Sequence, residues 1–330
     1  MRSFTLGIST VLFAIATVGQ TVDRTITFAH TDDPQNIQEV ATLCRTIADI
    51  KDVSVDVAQR SMTLHGTADQ ISVVEWLVKR LDRPLADQQN SDSNETRMPD
   101  PRNETVIRLI YLTHNETIQQ FQEIATATRT TADVRRVFTY NAPRAMVLRG
   151  TPEQIALAAW VVGQLDQPLD APLRHSAAEY REPASSDDVT RVFTLAYAES
   201  IQDFQEMATS MRMIADIRRV FTYNERRAVS VRGTADQLAM AQWLMGRLDR
   251  PDSARDASQY ALPASGDEKV GVYYVSPNMP GPDFQKSAIS IRASTGMARV
   301  FTHSGRRAIV VRGTSDQLAR TELMLGASPR

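Results

Sequence analysis

Four times the chain writes a strand, a glycine–threonine pair and the start of a helix. The copies read "LHGTADQ", "LRGTPEQ", "VRGTADQ" and "VRGTSDQ", with the glycine at Gly66, Gly150, Gly233 and Gly313. Self-similarity at a fixed period restricts the fold to an array of small copies, each one supersecondary unit built from the same local signals. The copies extend both ways. Ten residues past the glycine stand Trp76, Trp160 and Trp243, with Leu323 in the last copy. Three copies then close on "LDRP" or "LDQP", ending at Pro84, Pro168 and Pro251. Upstream, "IQEVAT", "FQEIAT", "FQEMAT" and "FQKSAI" begin at Ile37, Phe121, Phe204 and Phe284.

The third copy is the most legible. "VTRVFTL" from Val189 is β-branched and aromatic and predicts a strand. From Ser200 to Asp216, Ile201, Phe204, Met207, Ala208, Met211 and Ile214 fall at helical spacing. "RRVFTY" and "AVSVR" flank the turn "NERR" and predict a hairpin. From Ala235 to Leu248 a second amphipathic helix follows. The order is β-α-β-β-α. In "GTPEQ" Thr151 caps the helix, Pro152 sits in its first turn, Glu153 favours the dipole and Gln154 bonds back. Gly150 is expected to let the chain turn out of the strand. Capping accounts for the element without an anion site at the helix N-terminus. The tryptophans on the second helix are expected to pack rather than to stack on a ligand. Asp49, Asp133 and Asp216 recur at the end of the first helix, where a turn role suffices.

This predicts an α+β protein, a tandem array of four modules at residues 24–84, 105–168, 189–251 and 269–330. Between them, residues 85–104, 169–188 and 252–268 are rich in Asp, Ser, Pro and Ala without apolar periodicity and read as flexible linkers. A unit of about 60 residues buries a small core but can fold alone. Residues 1–20, with Arg2 and an apolar run from Phe4 to Val18, read as a secretory signal peptide, with an uncleaved membrane anchor as the alternative. Either sends the chain out of the cytoplasm. No other segment approaches the roughly 20 apolar residues of a transmembrane helix. Of the 330 residues 42% are hydrophobic and 23% charged, a globular composition, and the net charge of −2 exerts no pull on nucleic acid or anionic lipid. A single cysteine, Cys44, excludes an internal disulfide framework and a cysteine-rich metal site.

The stretch "RRAVSVRGTADQLAMAQWLMGRLDRP" resembles the small periplasmic N-domains of bacterial secretins, a β-α-β-β-α fold related to the KH module. The resemblance covers all four copies. It implies modules that pack side by side or dock to partner proteins in the periplasm. Two departures stand out. Arg144, Arg227 and Arg307 occupy the place before the third strand where the family usually has Asn, and the family's barrel gate domain is missing, so a pore function is not implied.

Strand alternation divides each sheet into two faces. In the first copy Val53, Val55, Met62 and Leu64 alternate with Ser54, Asp56, Thr63 and His65. Carried to the third copy, that phase turns Val220, Thr222, Val229 and Val231 inward and Phe221, Tyr223, Ser230 and Arg232 outward. It turns Leu109, Tyr111, Phe138, Tyr140, Val147 and Arg149 outward in the second copy. In the fourth it exposes Phe301, His303, Val310 and Arg312. The first module therefore has a polar open face, and the other three carry aromatics and arginine, which interfaces favour. These faces are the expected docking sites for a partner protein or a second copy of the chain. A one-residue bulge would instead turn the phenylalanines inward. Hairpin arginines Arg144, Arg226, Arg227, Arg306 and Arg307 read as a rim or as solvated turns.

The expectation is an exported, non-enzymatic interaction or assembly protein with no cofactor, in the periplasm or cell envelope, an accessory or scaffold of a secretion or pilus-type assembly. The alternative is KH-like nucleic-acid binding through aromatics and Arg on a sheet. Against it stand the export signal, a charge that is not basic and the lack of a Gly-x-x-Gly clamp between two helices. Catalysis is disfavoured because no position among His30, His65, His114, His175 and His303 recurs through the four copies and no nucleophile, carboxylate or metal set clusters. The "NET" sequons at Asn94, Asn103 and Asn115 are read as chance.

Overall fold

A computed structural model of the chain describes residues 21–84, 94–168, 170, 172, 175–182, 188–251, 256–263 and 266–326. The signal-peptide expectation falls on residues 1–20, outside the described residues. The chain divides into two compact units, Met1–Pro84 and Leu85–Arg330.

The first unit runs β1 (Thr21–Thr27), α1 (Pro34–Ile47), β2 (Asp52–Asp56), β3 (Ser61–Thr67), α2 (Ala68–Leu81). Its antiparallel sheet has the order β1-β3-β2, so the last strand lies in the middle. Met62 and Leu64 point from the central strand into a core with Ile37, Val40, Leu43, Val74 and Leu77, all buried. Cys44 is buried in the same layer beside Met62, and burial pushes its thiol up to about 12, so it is a packing residue.

The second unit contains three more copies. The second module is β4 (Glu95–Arg97), β5 (Val106–Tyr111), α3 (Ile118–Ala132), β6 (Arg136–Tyr140), β7 (Ala145–Gly150), α4 (Pro152–Leu165). The third is β8 (Ser176–Arg181), β9 (Val189–Thr194), α5 (Ile201–Met213), β10 (Arg219–Tyr223), β11 (Ala228–Gly233), α6 (Ala235–Leu248). The fourth is β12 (Ser258–Ala261), β13 (Glu268–Tyr274), α7 (Gly281–Thr295), β14 (Arg299–His303), β15 (Ala308–Thr314), α8 (Ser315–Leu325). The β-α-β-β-α order is the one expected. The difference lies in the segments read as linkers, because β4, β8 and β12 each add an antiparallel edge strand beside the first strand of the module that follows.

Local chemistry fixes the module. Thr67, Thr151, Thr234 and Thr314 each close a capping box with the glutamine three residues on. Each glutamine then reaches out of the box. Gln154 Nε2 donates to the Asp133 carbonyl at 2.8 Å and Gln237 Nε2 to the Asp216 carbonyl at 2.7 Å, tying the second helix to the end of the first. Asp133 and Asp216 hold left-handed backbone there, at φ 55° and 58°, which Asp tolerates better than most residues. The preceding glycine is explained by space rather than by turning. A Cβ on Gly150 or Gly233 would meet the glutamine Oε1 at 2.8 or 2.7 Å, and neither glycine has positive φ. The aspartate of "LD-x-P" is a clamp. Asp166 accepts the N–H groups of Thr113 and His114 at 2.8 and 2.9 Å, and Asp249 those of Ala196 and Tyr197 at 2.9 and 2.7 Å. The helix-two end thereby holds the loop leaving the first strand.

Candidate docking interface between modules

Register sets three cross-strand rows on the sheet side away from each module's own helices. In the third module they are Thr190–Arg232–Arg219, Val192–Ser230–Phe221 and Thr194–Ala228–Tyr223. In the fourth they are Val270–Arg312–Arg299, Val272–Val310–Phe301 and Tyr274–Ala308–His303. The second module has Ile107–Arg149–Arg136, Leu109–Val147–Phe138 and Tyr111–Ala145–Tyr140. The first has Asp23–His65–Asp52, Thr25–Thr63–Ser54 and Thr27–Ser61–Asp56. No bulge shifts the phase. Val229 and Val231 sit in the third module's own core, and Phe221 and Tyr223 lie on the other face.

That face is not open to solvent, which corrects the expectation for modules three and four. Val192, Tyr223 and Ala228 complete the second module's core, with Phe221 packed against it. Val270, Val272, Ala308 and Val310 complete the third module's core in the same way, with Phe301 and Tyr274 beside them. Each sheet lies on the first helix of the module before it, β10 and β11 on α3 and β14 on α5. Tyr223 and His303 are buried, and Phe221, Phe301, Arg232 and Arg312 are half-buried. The physical reason is effective concentration. A short tether presents the neighbour's helix at about millimolar level, so an apolar row finds it before any foreign protein.

The polar frame of the joint is repeated. Glu123 on α3 accepts the backbone N–H of Asn224 at 3.0 Å, and Glu206 on α5 accepts that of Ser304 at 2.6 Å. Arg219 pairs with Asp133 and Arg299 with Asp216, each at 3.1 Å. Arg232 donates to the Thr131 carbonyl and Arg312 to the Ile214 carbonyl, each at 3.1 Å, neutralising the C-terminal end of the helix beneath. Arg232 is itself held by Asp188 at 2.5 Å and Arg312 by Glu268 at 2.7 Å. The edge strands add an aromatic bolt. Tyr180 on β8 packs on Trp160 of α4 at 5.6 Å, and Tyr260 on β12 packs on Trp243 of α6 at 5.4 Å.

Two of the differences between the joints lie at buried polar positions. Between modules two and three, Thr131 and Ser230 share a buried hydrogen bond of 2.8 Å. At the matching place between modules three and four stand Ile214 and Val310, both fully buried. Where the first joint has Tyr223, whose hydroxyl burial pushes up to about 12, the second has His303. Its Nδ1 lies 3.4 Å from Asp203 and 3.3 Å from Glu206, and Arg306 pairs with Asp203 at 2.9 Å.

In the second module Leu109, Tyr140 and Arg149 are buried, and Tyr111 and Phe138 are half-buried, so this face too is not the open one expected. Arg149 is consumed locally by Asp100 at 2.7 Å and by the Glu104 carbonyl at 2.9 Å. Burial pushes the Asp100 carboxyl up, but hydrogen bonds from Arg102 and the charges of Arg149 and Arg102 outweigh it and hold it below the usual range. Of the hairpin arginines, Arg144, Arg306 and Arg307 are held by specific contacts rather than left in solvent. Arg144, Arg227 and Arg307 take left-handed φ of 51°, 44° and 50°. Arg144 donates to the Asn115 and Glu116 carbonyls, and the Arg307 guanidinium lies 5.5 Å over the Phe284 ring. Glu123, Glu206 and Asp188 were not singled out in the sequence, although the recurrent glutamate of "FQE" was a usable signal.

Among the described residues two surfaces of the joint type stay open. The first module's rows are exposed at Asp23, Thr25, Thr27, Asp52, Ser54, Asp56, Thr63 and His65. On the fourth module α7 offers Lys286 where α3 and α5 have glutamate, and Gly296 where they are followed by aspartate. Ile289 and Leu323 there are 62% and 84% exposed. Among the described residues no group of three His, Cys, Asp or Glu is arranged to hold a metal ion, and no helix is long and apolar enough to cross a membrane.

No family model matches the chain, and no curated protein matches it. Among solved structures the chain is similar to the N-terminal domain of the secretin XcpQ from Pseudomonas aeruginosa. Identity is 12%, with 45% of this chain and 63% of that chain covered, at a TM-score of 0.19. It is also similar to Aeromonas hydrophila ExeD, at 16% identity over 92% of this chain and 55% of that one, with a TM-score of 0.17. Aspartate kinase from Synechocystis matches at 10% identity over 93% and 54%, with a TM-score of 0.19. The chain spans less than two thirds of each of these structures. At these TM-scores the superpositions carry no argument about function, and the β-α-β-β-α assignment rests on the chain's own topology.

Proposed function

We propose that the chain is an exported, non-enzymatic interaction protein of the cell envelope, an accessory or scaffold of a secretion or pilus-type assembly. The observation that supports this reading is the joint frame. The same carboxylate, arginine and helix-end contacts recur at both joints, so these modules are built to recognise one another's sheet and helix faces. Module recognition of this kind extends naturally to a partner. The resemblance to secretin N-domains favours a partner in a secretion assembly. The surfaces left for it are the polar face of the first module and the α7–α8 side of the fourth. Nucleic-acid binding loses motivation, since the third- and fourth-module aromatics and arginines that suggested it are spent inside the joints and Arg149 is held by Asp100.

The test is site-specific photocrosslinking in cells of the source organism, with the crosslinker at Thr63, Ile289 or Leu323 and, as a buried control, at Val310. Adducts to one envelope protein from the exposed sites and none from Val310 are expected. Adducts to cytoplasmic proteins only, or tight salt-sensitive binding of single-stranded RNA by the purified chain, would sink the reading.

A further inference from the structure

The second and third modules both place tyrosine at the end of the second strand, at Tyr140 and Tyr223. The fourth places His303 there, with no exposed surface. From α5, Asp203 and Glu206 face its Nδ1 at 3.4 and 3.3 Å. From its own turn the Arg306 backbone N–H donates to Nδ1 at 3.3 Å. Arg306 also extends its guanidinium to Asp203 at 2.9 Å and to the Arg250 carbonyl at 3.2 Å. These are the charged groups that face the imidazole from the elements packed on it. Its Nε2 is buried with no hydrogen-bond partner among the described residues. The packing is close enough that a Cβ on Gly305 would meet Asp203 Oδ1 at 2.8 Å.

A neutral imidazole suits this site, since Nδ1 accepts from Arg306. A second proton from solvent lands on Nδ1, displaces the Arg306 N–H and puts a cation into a site with no exposed surface, where Arg306 already competes for Asp203. Burial, the largest influence, holds the His303 pKa below the ordinary histidine value despite the attraction of Asp203 and Glu206. Opening the joint returns the ring to water, where it protonates normally.

We propose that the joint between the third and fourth modules is acid-labile, releasing the fourth module's sheet from α5 as His303 takes up a proton, while the joint built on Tyr223 stays closed. Release uncovers the apolar row Val272–Val310–Phe301 and the helix face around Ile214, surfaces a second protein can then use. Both joints carry the same built-in reporter, a backbone N–H that donates across them to a carboxylate. That is Ser304 to Glu206 in one and Asn224 to Glu123 in the other.

The experiment measures hydrogen exchange at these two amides by NMR on residues 21–330, between pH 7.5 and 5. Their ratio within one sample cancels the intrinsic pH dependence of exchange. In the wild type, protection of Ser304 relative to Asn224 should fall by up to about tenfold from pH 6.5 to 5.5, the change set by one extra bound proton in the open state. His303→Tyr, which copies the other modules, should hold the ratio flat. His303→Gln, uncharged and smaller, should also hold it flat and decides the matter where the tyrosine is not accommodated. A wild-type ratio that stays flat or rises on acidification, or an equal fall in both variants, overturns the proposal.

Discussion

Thr131 and Ser230 show what a joint asks of single residues. Their hydroxyls meet at 2.8 Å in a buried site, and each has lost its access to water. Thr131→Val therefore strands the Ser230 hydroxyl and should cost about 1–3 kcal/mol in urea unfolding, whereas adding Ser230→Val should recover most of it. A double variant as unstable as the sum of the singles would show that the pair is not coupled. His175 makes a second residue-scale prediction. It donates to the buried Asp249 at 2.8 Å, and that hydrogen bond raises its pKa above the ordinary value. A raised folded pKa means the folded state holds the proton more tightly. The contribution is present below about pH 6.5 and lost as pH rises through the folded value. The penalty of His175→Ala should thus be larger at pH 5.5 than at pH 8.5 in thermal unfolding, the opposite sense to His303. Neither partnership was legible in the sequence. Repetition marks a position as used but does not say by what, and Ser230 finds its mate 99 residues away.

At the scale of the element, glycine separates two cases that look alike in the sequence. Gly150 ends β7 where a Cβ would press on Gln154 Oε1 at 2.8 Å, whereas Gly163 in α4 has nothing within 4 Å. Gly163→Ala should stabilise by about 0.5–1 kcal/mol by restricting the unfolded chain and favouring helix. Gly150→Ala should instead lower the thermal midpoint, because the glutamine has to leave both its cap and the Asp133 carbonyl. Equal shifts of the same sign would refute the close-approach account. Capping boxes, helix faces and hairpins were readable because their determinants lie within four residues of one another. The reason for the glycine was not, since it depends on where the Gln154 side chain goes after capping. Edge strands β4, β8 and β12 also escaped, for a different reason. They are three to six residues long and are held chiefly by backbone pairing, which leaves little apolar period in the sequence.

For the molecule as a whole, strand alternation marks the buried face of each sheet but not the surface that covers it. Single-module logic cannot distinguish a row awaiting a partner from one already seated on the neighbour. The two outcomes separate in solution. Residues 21–330 should run as a single chain by light scattering at every concentration. Phe221→Ser and Phe301→Ser should each lose about 1–2 kcal/mol of stability for their half-buried rings and leave the solution mass unchanged. A wild-type oligomer that these variants dissolve would restore self-association through the same faces. The joints also have a direction, since a later sheet always lands on an earlier helix. A ribosome or a translocation channel delivers the chain in that same order. Each aromatic row therefore emerges after the surface that will cover it, and the interval in which it could meet a chaperone, a protease or another nascent chain is kept short. Reversing the polarity of the joint, with helices landing on sheets, would leave every row waiting for a module not yet made.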